Sequence, residues 1–183
     1  DGFVTLTGDI ELGYENKPNF ETAQWAGIRF EGVTVPADVA GAYLEFTALS
    51  DPEEAGTGAG EQVVLQVYAA EDTTEFEAAV NNLSERVNED AVVTWTISAT
   101  WTAEETYRSE NLVELVEAMR DADSDVSDLV FLIKPADESS TNFRRAYGAD
   151  GSVGTIDEEN GPRLIFTAPG ADDGGADEGE GEA

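Results

Sequence analysis

The chain has 183 residues, of which 40% are apolar, so it is long enough for one globular domain with a core of its own. It carries 40 acidic residues against 9 basic ones, and its formal net charge of −31 disfavours binding to nucleic acids and to anionic membranes. It has no cysteine and no histidine, which excludes disulfides, thiol nucleophiles, histidine-dependent triads and the usual zinc ligands.

The same composition bears on catalysis and on the surroundings of the protein. An enzyme without histidine and cysteine depends on carboxylates, Ser, Lys or Tyr, so we expect a protein without catalytic activity. A charge of −31 calls for bound cations or a saline medium that screens self-repulsion. No apolar stretch has the length of a membrane span, and we expect no insertion into a membrane.

The first part of the sequence predicts short strands. Residues 3–12 read as one or two strands, whereas residues 14–22 are polar, contain Pro18 and predict a loop. Residues 24–49 predict two strands joined by a proline-containing connection. The second of these has the clearest alternation in the chain, with one apolar face formed by Ala40, Ala42, Leu44, Phe46 and Ala48.

The middle of the sequence mixes strand and helix signals. The glycine-rich residues 51–60 predict a surface loop, and the alternating residues 63–69 predict a strand. Residues 74–83 place three apolar side chains on one helical face, with Thr74 as a possible cap, and predict a short helix. Residues 92–97 alternate again and predict a strand.

The last part contains the best helix of the sequence. Residues 109–122 have an apolar stripe at helical spacing, with Ser109 in the place of an N-cap. Residues 129–134 are apolar on both faces, which is typical of a central strand. Residues 143–147 and 162–167 predict the closing strands.

This order of elements favours an all-β fold. Short strands at turn-punctuated spacing predict an antiparallel β-sandwich of jelly-roll type with one inserted α-helix, which we assign to residues 1–167. Residues 168–183 hold six acids, no base and no large apolar side chain, and they predict an acidic C-terminal tail that has no core of its own.

Several motifs occur together along the chain. They are GDIEL at 8–12, WAGIRFEGVTVP at 25–36, AGAYLEFTA at 40–48, WT at 101–102, SENLVELV at 109–116, FRRAYGADGS at 143–152 and GPRLIFT at 161–167. In this order they resemble the jelly-roll modules of secreted and cell-surface proteins of bacteria and archaea. The resemblance implies a secreted or cell-surface location and a non-catalytic adhesive, carbohydrate-associated or structural role, often with bound calcium. The acidic tail and the absence of an attached catalytic domain depart from that pattern.

A first candidate calcium site lies near the N-terminus. Asp9 and Glu11 are one residue apart in a predicted strand and therefore share a face. Two neighbouring carboxylates repel one another unless a cation or a basic side chain lies between them. If the closing strands return beside this one, Asp150 can complete the oxygen ligands that calcium requires. The alternative is that these acids are simply solvated.

A second candidate follows the predicted helix, in the segment DADSDVSD. Its aspartates are Asp121, Asp123, Asp125 and Asp128. The spacing resembles the start of an EF-hand loop but fails twice, because Val126 replaces the glycine at position six and Leu132 replaces the glutamate at position twelve. Carboxylates near a helix C-terminus are unfavourable without a counter-ion, so a weak cation site and a solvated acidic turn are both open.

Two further surfaces are candidates for partners. Trp101 and Tyr107 are close in sequence and could form a stacking platform for a polysaccharide, although an aromatic residue of this kind is more often part of the core. Phe3, Val4 and Leu6 belong to an N-terminal strand that could be lent to the sheet of a second copy, which gives a homo-oligomer or filament.

Together these features predict a secreted, non-enzymatic, calcium-stabilised structural or adhesive protein, for example a self-assembling subunit of an extracellular filament or matrix. One alternative is a carbohydrate-binding module. Another is a halophilic surface-protein domain with no specific ligand, in which the acidic residues are an adaptation to salt.

Overall fold

The chain forms an antiparallel β-fold with one α-helix in the computed structural model, which describes residues 9–17, 20–49, 62–77, 79–148 and 160–170. Its strands are β1 (Asp9–Leu12), β2 (Tyr14–Lys17), β3 (Phe20–Ala23), β4 (Ala26–Phe30), β5 (Gly41–Thr47), β6 (Val63–Ala70), β7 (Val87–Ile97), β8 (Thr106–Arg108), β9 (Leu129–Pro135), β10 (Arg144–Tyr147) and β11 (Arg163–Thr167). The helix α1 spans Val113–Ala122, and a single 3-10 turn spans Ser84–Arg86.

The strands are arranged in four antiparallel sheets. The largest has the order β4-β9-β6-β7, and a three-stranded sheet has the order β11-β5-β8. Two further pairs are β1-β10 and β2-β3, and a bridge between Ala48 and Ala146 links the end of β5 to β10. The expectation of a mostly β, antiparallel fold with one α-helix is confirmed, and the arrangement is compatible with a β-sandwich.

The main core lies between the three-stranded and the four-stranded sheet. The alternation predicted for residues 40–48 is observed from Ala42 onward, since Leu44 and Phe46 are fully buried while Tyr43 and Glu45 are half-buried. Ala40, which the pattern predicts on the apolar face, is exposed. The Phe46 ring stacks on Trp95 of β7 with 5.6 Å between ring centroids. β5 therefore supplies the side chains that join the two sheets.

Strand β9 is central, as its sequence predicts. It pairs with β4 on one side and β6 on the other. Phe131 packs into the main core, whereas Val130 and Leu132 belong to a second apolar cluster with Tyr68 and Leu83 on the opposite face of the sheet. The four-stranded sheet is thus apolar on both faces along this strand, which explains why LVFLIK shows no alternation.

The helix α1 begins later than the sequence predicts. Ser109 is not its N-cap, because the Ser109 hydroxyl accepts a hydrogen bond from the Leu44 backbone N–H at 3.0 Å. Asn111 Oδ1 accepts from the N–H groups of Ala42 and Val113, at 3.1 and 3.0 Å. Residues 109–112 therefore run beside β5 and extend the line of β8, and the helix starts only after them.

Two other predictions are wrong. Residues 14–22 are not a loop, since β2 and β3 pair antiparallel there. The described residues of 74–83 form no α-helix, because arginine side chains hold the backbone carbonyls of this region in an irregular loop. Arg86 Nη1 and Nη2 donate to the Thr74 and Glu75 carbonyls at 2.5 and 2.9 Å, and Arg29 Nε donates to the Thr73 carbonyl at 2.8 Å.

No helix in the described part of the chain has the length and apolar character needed to cross a membrane.

Candidate functional site

The first candidate calcium site lies on the pair β1-β10. The closing strand does return beside the N-terminal one, with Asp9 opposite Tyr147 and Glu11 opposite Arg145. Glu11 Oε1 lies 3.4 Å from Arg145 Nη2, and both side chains are largely buried. A basic side chain therefore accompanies Glu11 in the structure. The third predicted ligand, Asp150, lies outside the described residues.

The neighbouring Arg144 has a different role. Its side chain is 1% exposed, and its Nε and Nη2 atoms donate to the Ala99 carbonyl at 3.2 and 2.9 Å. Its Nη1 atom donates to the Phe143 carbonyl at 2.7 Å. A guanidinium group can satisfy several carbonyls at once because its donors form a rigid planar fork. Arg144 therefore fixes the chain before β10 to the loop after β7.

The aspartates of the second candidate site, which begins in the last turn of α1, bind different partners. Asp128 Oδ2 accepts from Arg29 Nη2 at 2.7 Å, and Asp128 Oδ1 accepts from the Gly32 N–H at 3.0 Å. The Gly32 N–H and the Arg29 guanidinium lower the pKa of Asp128 below its ordinary value of 3.8. Asp123 instead accepts from the Asp125 N–H within its own turn, and Asp121 is exposed.

Neither of the two candidate sets of acidic residues surrounds a position that an ion could occupy. Within the residues that the structure describes, no three acidic side chains are close enough to hold a metal ion. Calcium requires six to eight oxygen ligands, so the described carboxylates offer it at most partial, water-rich coordination. The acids of the segment after α1 act here as turn and ion-pair partners.

The aromatic pair Trp101 and Tyr107 is brought together, but the ring of Trp101 is buried. The two rings stack with 4.7 Å between centroids and an angle of 6° between planes. Trp101 is 3% exposed and also contacts Phe46 and Trp95, while Tyr107 Oη accepts from the Thr102 N–H at 2.6 Å. The pair forms one end of the main core, and the Trp101 ring has no exposed face for a sugar.

A feature that the sequence did not point to lies on the outer face of the four-stranded sheet. The Lys134 ammonium sits between two aromatic rings, 5.2 Å from the Trp25 centroid and 5.1 Å from the Tyr68 centroid. Gln66 is opposite Lys134 in the neighbouring strand, and Gln66 Oε1 accepts from Tyr68 Oη at 2.8 Å. Trp25, Lys134 and Gln66 are far apart in sequence, and only the register of β4, β9 and β6 brings them together.

A small cavity of about 260 Å³ lies between α1 and the ends of β6 and β7. Small apolar side chains such as Ala69 and Ala118 line it, together with Met119, Glu71 and Asn88. It gathers no set of acid, base and nucleophile that could perform a reaction.

The predicted assembly residues Phe3, Val4 and Leu6 lie outside the described residues.

Comparison with known proteins gives no family for this chain. No protein-family model matches it, and no curated protein is significantly similar to it.

Proposed function

We propose that this chain is a non-catalytic jelly-roll sandwich with a structural or adhesive role in an extracellular or cell-surface protein, and that cations from the medium keep it compact. The observation that carries the proposal is the placement of charge. Three of the arginines, Arg86, Arg144 and Arg145, are buried at 6%, 1% and 5% exposure. No acidic residue of the described part of the chain is as buried as these arginines, and most are exposed.

This placement removes basic charge from the surface. The buried arginines bind backbone carbonyls or the Glu11 carboxylate, so few positive groups are left to offset the exposed acids. The repulsion among those acids acts over the Debye length, which shortens from about 8 Å at 0.15 M salt to about 3 Å at 1 M. A saline medium therefore supplies the compensation that the sequence lacks.

Calcium enters this proposal as a divalent ion that is loosely held by exposed carboxylates. Two of the predicted ligands, Glu11 and Asp128, already have arginine partners. Asp121, Asp123 and Asp125 are the residues we propose for cation contact, with water completing the coordination. In this form calcium stabilises the fold more than a monovalent ion at the same ionic strength, but without a closed cage.

Thermal unfolding tests the proposal. We expect the melting temperature of the full chain to rise as sodium chloride increases from about 0.05 M to about 2 M, because screening weakens self-repulsion. Calcium chloride at matched ionic strength should raise it further. A melting temperature that is unchanged across the salt series, and unchanged by a chelator, would contradict the proposal.

Self-assembly is the second part of the proposal, and the edge of the four-stranded sheet favours it. β7 has eleven residues and pairs only with β6 among the described strands. A long edge strand is a template for pairing with an extended segment of another copy. We propose residues 3–6 as that segment.

Light scattering should detect oligomers of the wild-type chain, and Val4→Pro, which removes a backbone donor, should reduce them. A strictly monomeric wild-type chain at all concentrations would exclude this part.

A further inference from the structure

We propose that the outer face of the four-stranded sheet binds a neutral polysaccharide through a row formed by Trp25, Lys134, Gln66 and Thr94. Three of these residues lie directly opposite one another in the pairing register, Lys134 with Gln66 and Gln66 with Thr94. Trp25 precedes β4, and its ring contacts the Lys134 ammonium. The row crosses β9, β6 and β7 and reaches the residue that precedes β4, so with neighbouring strands about 4.8 Å apart it spans roughly 14 Å.

The row contains the groups that recognise a sugar. Trp25 is partly exposed and offers an aromatic surface to the apolar face of a pyranose ring. The Lys134 ammonium donates charge-assisted hydrogen bonds, and the amide and hydroxyl of Gln66 and Thr94 pair with sugar hydroxyls. Such a small set of polar groups beside an aromatic ring is the usual composition of a ligand surface.

Two of these groups have donors to spare. Gln66 Oε1 is bound to Tyr68 Oη, and its Nε2 amide makes no hydrogen bond within the described residues. Lys134 has no carboxylate partner in the described part of the chain, although acids outnumber bases there by a wide margin. The rings of Trp25 and Tyr68 hold its ammonium in place, so little side-chain freedom is lost when a ligand binds.

The charge of this face selects the class of ligand. The outward positions of β6, β9 and residues 92–96 of β7 that are at least partly exposed include no acid; they are Val64, Gln66, Val92, Thr94, Thr96 and Lys134. The other outward residues of these strands, Tyr68, Ala70, Val130 and Leu132, are buried in the second apolar cluster. A ligand here does not have to desolvate a carboxylate. The net charge of −31 repels a polyanion at long range, whereas it does not repel a neutral polysaccharide. A neutral glycan is therefore the occupant that fits both the patch and the molecule.

Affinity electrophoresis of the full chain tests this assignment, with gels that contain a soluble β-glucan, a xylan or a mannan, and a polyuronate as the acidic comparison. We expect at least one neutral polysaccharide to retard the protein. The double variant Gln66→Ala/Lys134→Gln should weaken that retardation by about tenfold or more, because each lost partner leaves a sugar hydroxyl unpaired. Trp25→Ala should do the same.

Controls separate binding from folding. Thr106→Ala changes an exposed residue of β8 in the other sheet and should leave retardation unchanged. The melting temperature identifies any variant that fails to fold, and it is measured for the double variant because Lys134 contacts the Trp25 and Tyr68 rings and Gln66 accepts a hydrogen bond from Tyr68. The assignment is overturned if no neutral polysaccharide retards the wild-type chain, if only the polyuronate does, or if the folded double variant binds as the wild type does. None of these outcomes depends on how salt affects stability, so the two proposals can fail separately.

Discussion

The Glu11 carboxylate and the Arg145 guanidinium face each other across β1 and β10, with 3.4 Å between Oε1 and Nη2. Their side chains are 14% and 6% exposed, so this ion pair is screened by water far less than the many acids of the surface. It ties the N-terminal strand to the closing part of the chain.

Breaking this pair should be costly. We expect Glu11→Gln to destabilise the fold by about 3 kcal/mol, because it leaves the buried Arg145 charge without its carboxylate. That corresponds to a fall of roughly 6–12 °C in melting temperature. The control Glu114→Gln changes an exposed acid on α1 and should have little effect. If Glu11 were instead a calcium ligand, the variant would lose the calcium-dependent part of the stabilisation, which we expect it to keep.

Gly13 should tolerate no side chain. Its φ is +108°, and an added Cβ would lie 2.5 Å from the Asn142 carbonyl oxygen. Gly13→Ala should therefore cost about 3 kcal/mol or more, the sum of backbone strain and a clash with rigid backbone. Gly32 is the matched control, since its φ is +61° and nothing lies near its would-be Cβ. Gly32→Ala should cost only the conformational part, about 1 kcal/mol, and equal effects of the two variants in denaturant unfolding would contradict this reading.

Trp101 should behave as a core residue. Trp101→Ala removes a ring that is 3% exposed and stacked on Tyr107, and we expect a loss of about 3–5 kcal/mol in the free energy of unfolding. Trp101→Phe keeps part of the stacking and should lose less. A normal melting temperature for Trp101→Ala, combined with lost binding to a polysaccharide, would restore the surface role that the sequence suggested.

Asp128 should contribute stability that depends on pH. The Gly32 N–H and the Arg29 guanidinium lower its pKa in the folded state, so its contribution is fully present above the ordinary value of 3.8. It is lost as the pH falls through the lower, folded-state value. We therefore expect Asp128→Asn to reduce the melting temperature at neutral pH, and the difference from the wild type to shrink in strong acid. A difference that is constant from neutral pH to strong acid would show that the carboxylate charge is not the cause.

The parts of the fold that could be predicted from sequence are those in which a strand has an unambiguous burial pattern. β5 alternates because one face meets the core, and β9 does not alternate because both its faces are buried. Two predictions failed for different reasons: the polar residues 14–22 contain a pair of short strands, whereas in residues 74–83 side chains from elsewhere in the chain bind the backbone. The helix signal of residues 74–83 is overridden by Arg29 and Arg86, whose hydrogen bonds to carbonyls no local pattern reveals.

The candidate sites show the same division. The return of the closing strand beside Asp9 and Glu11 follows from the order of the strands, but the pairing of Glu11 with Arg145 depends on a register that the sequence does not display. Trp25 and Lys134 are separated by 109 positions, and neither carries a local motif. Their contact becomes visible only when β4 and β9 are aligned.

The position of β9 has a consequence for how the molecule opens. Both neighbours of this strand are hydrogen-bonded to it, and its residues from Leu129 to Ile133 are at most 1% exposed. Its amide protons should therefore exchange with deuterium only when the whole domain unfolds, and their rate reports global stability directly. Because salt is expected to change that stability, the exchange rate of the slowest β9 amides measures how strongly the ions of the medium stabilise the folded chain.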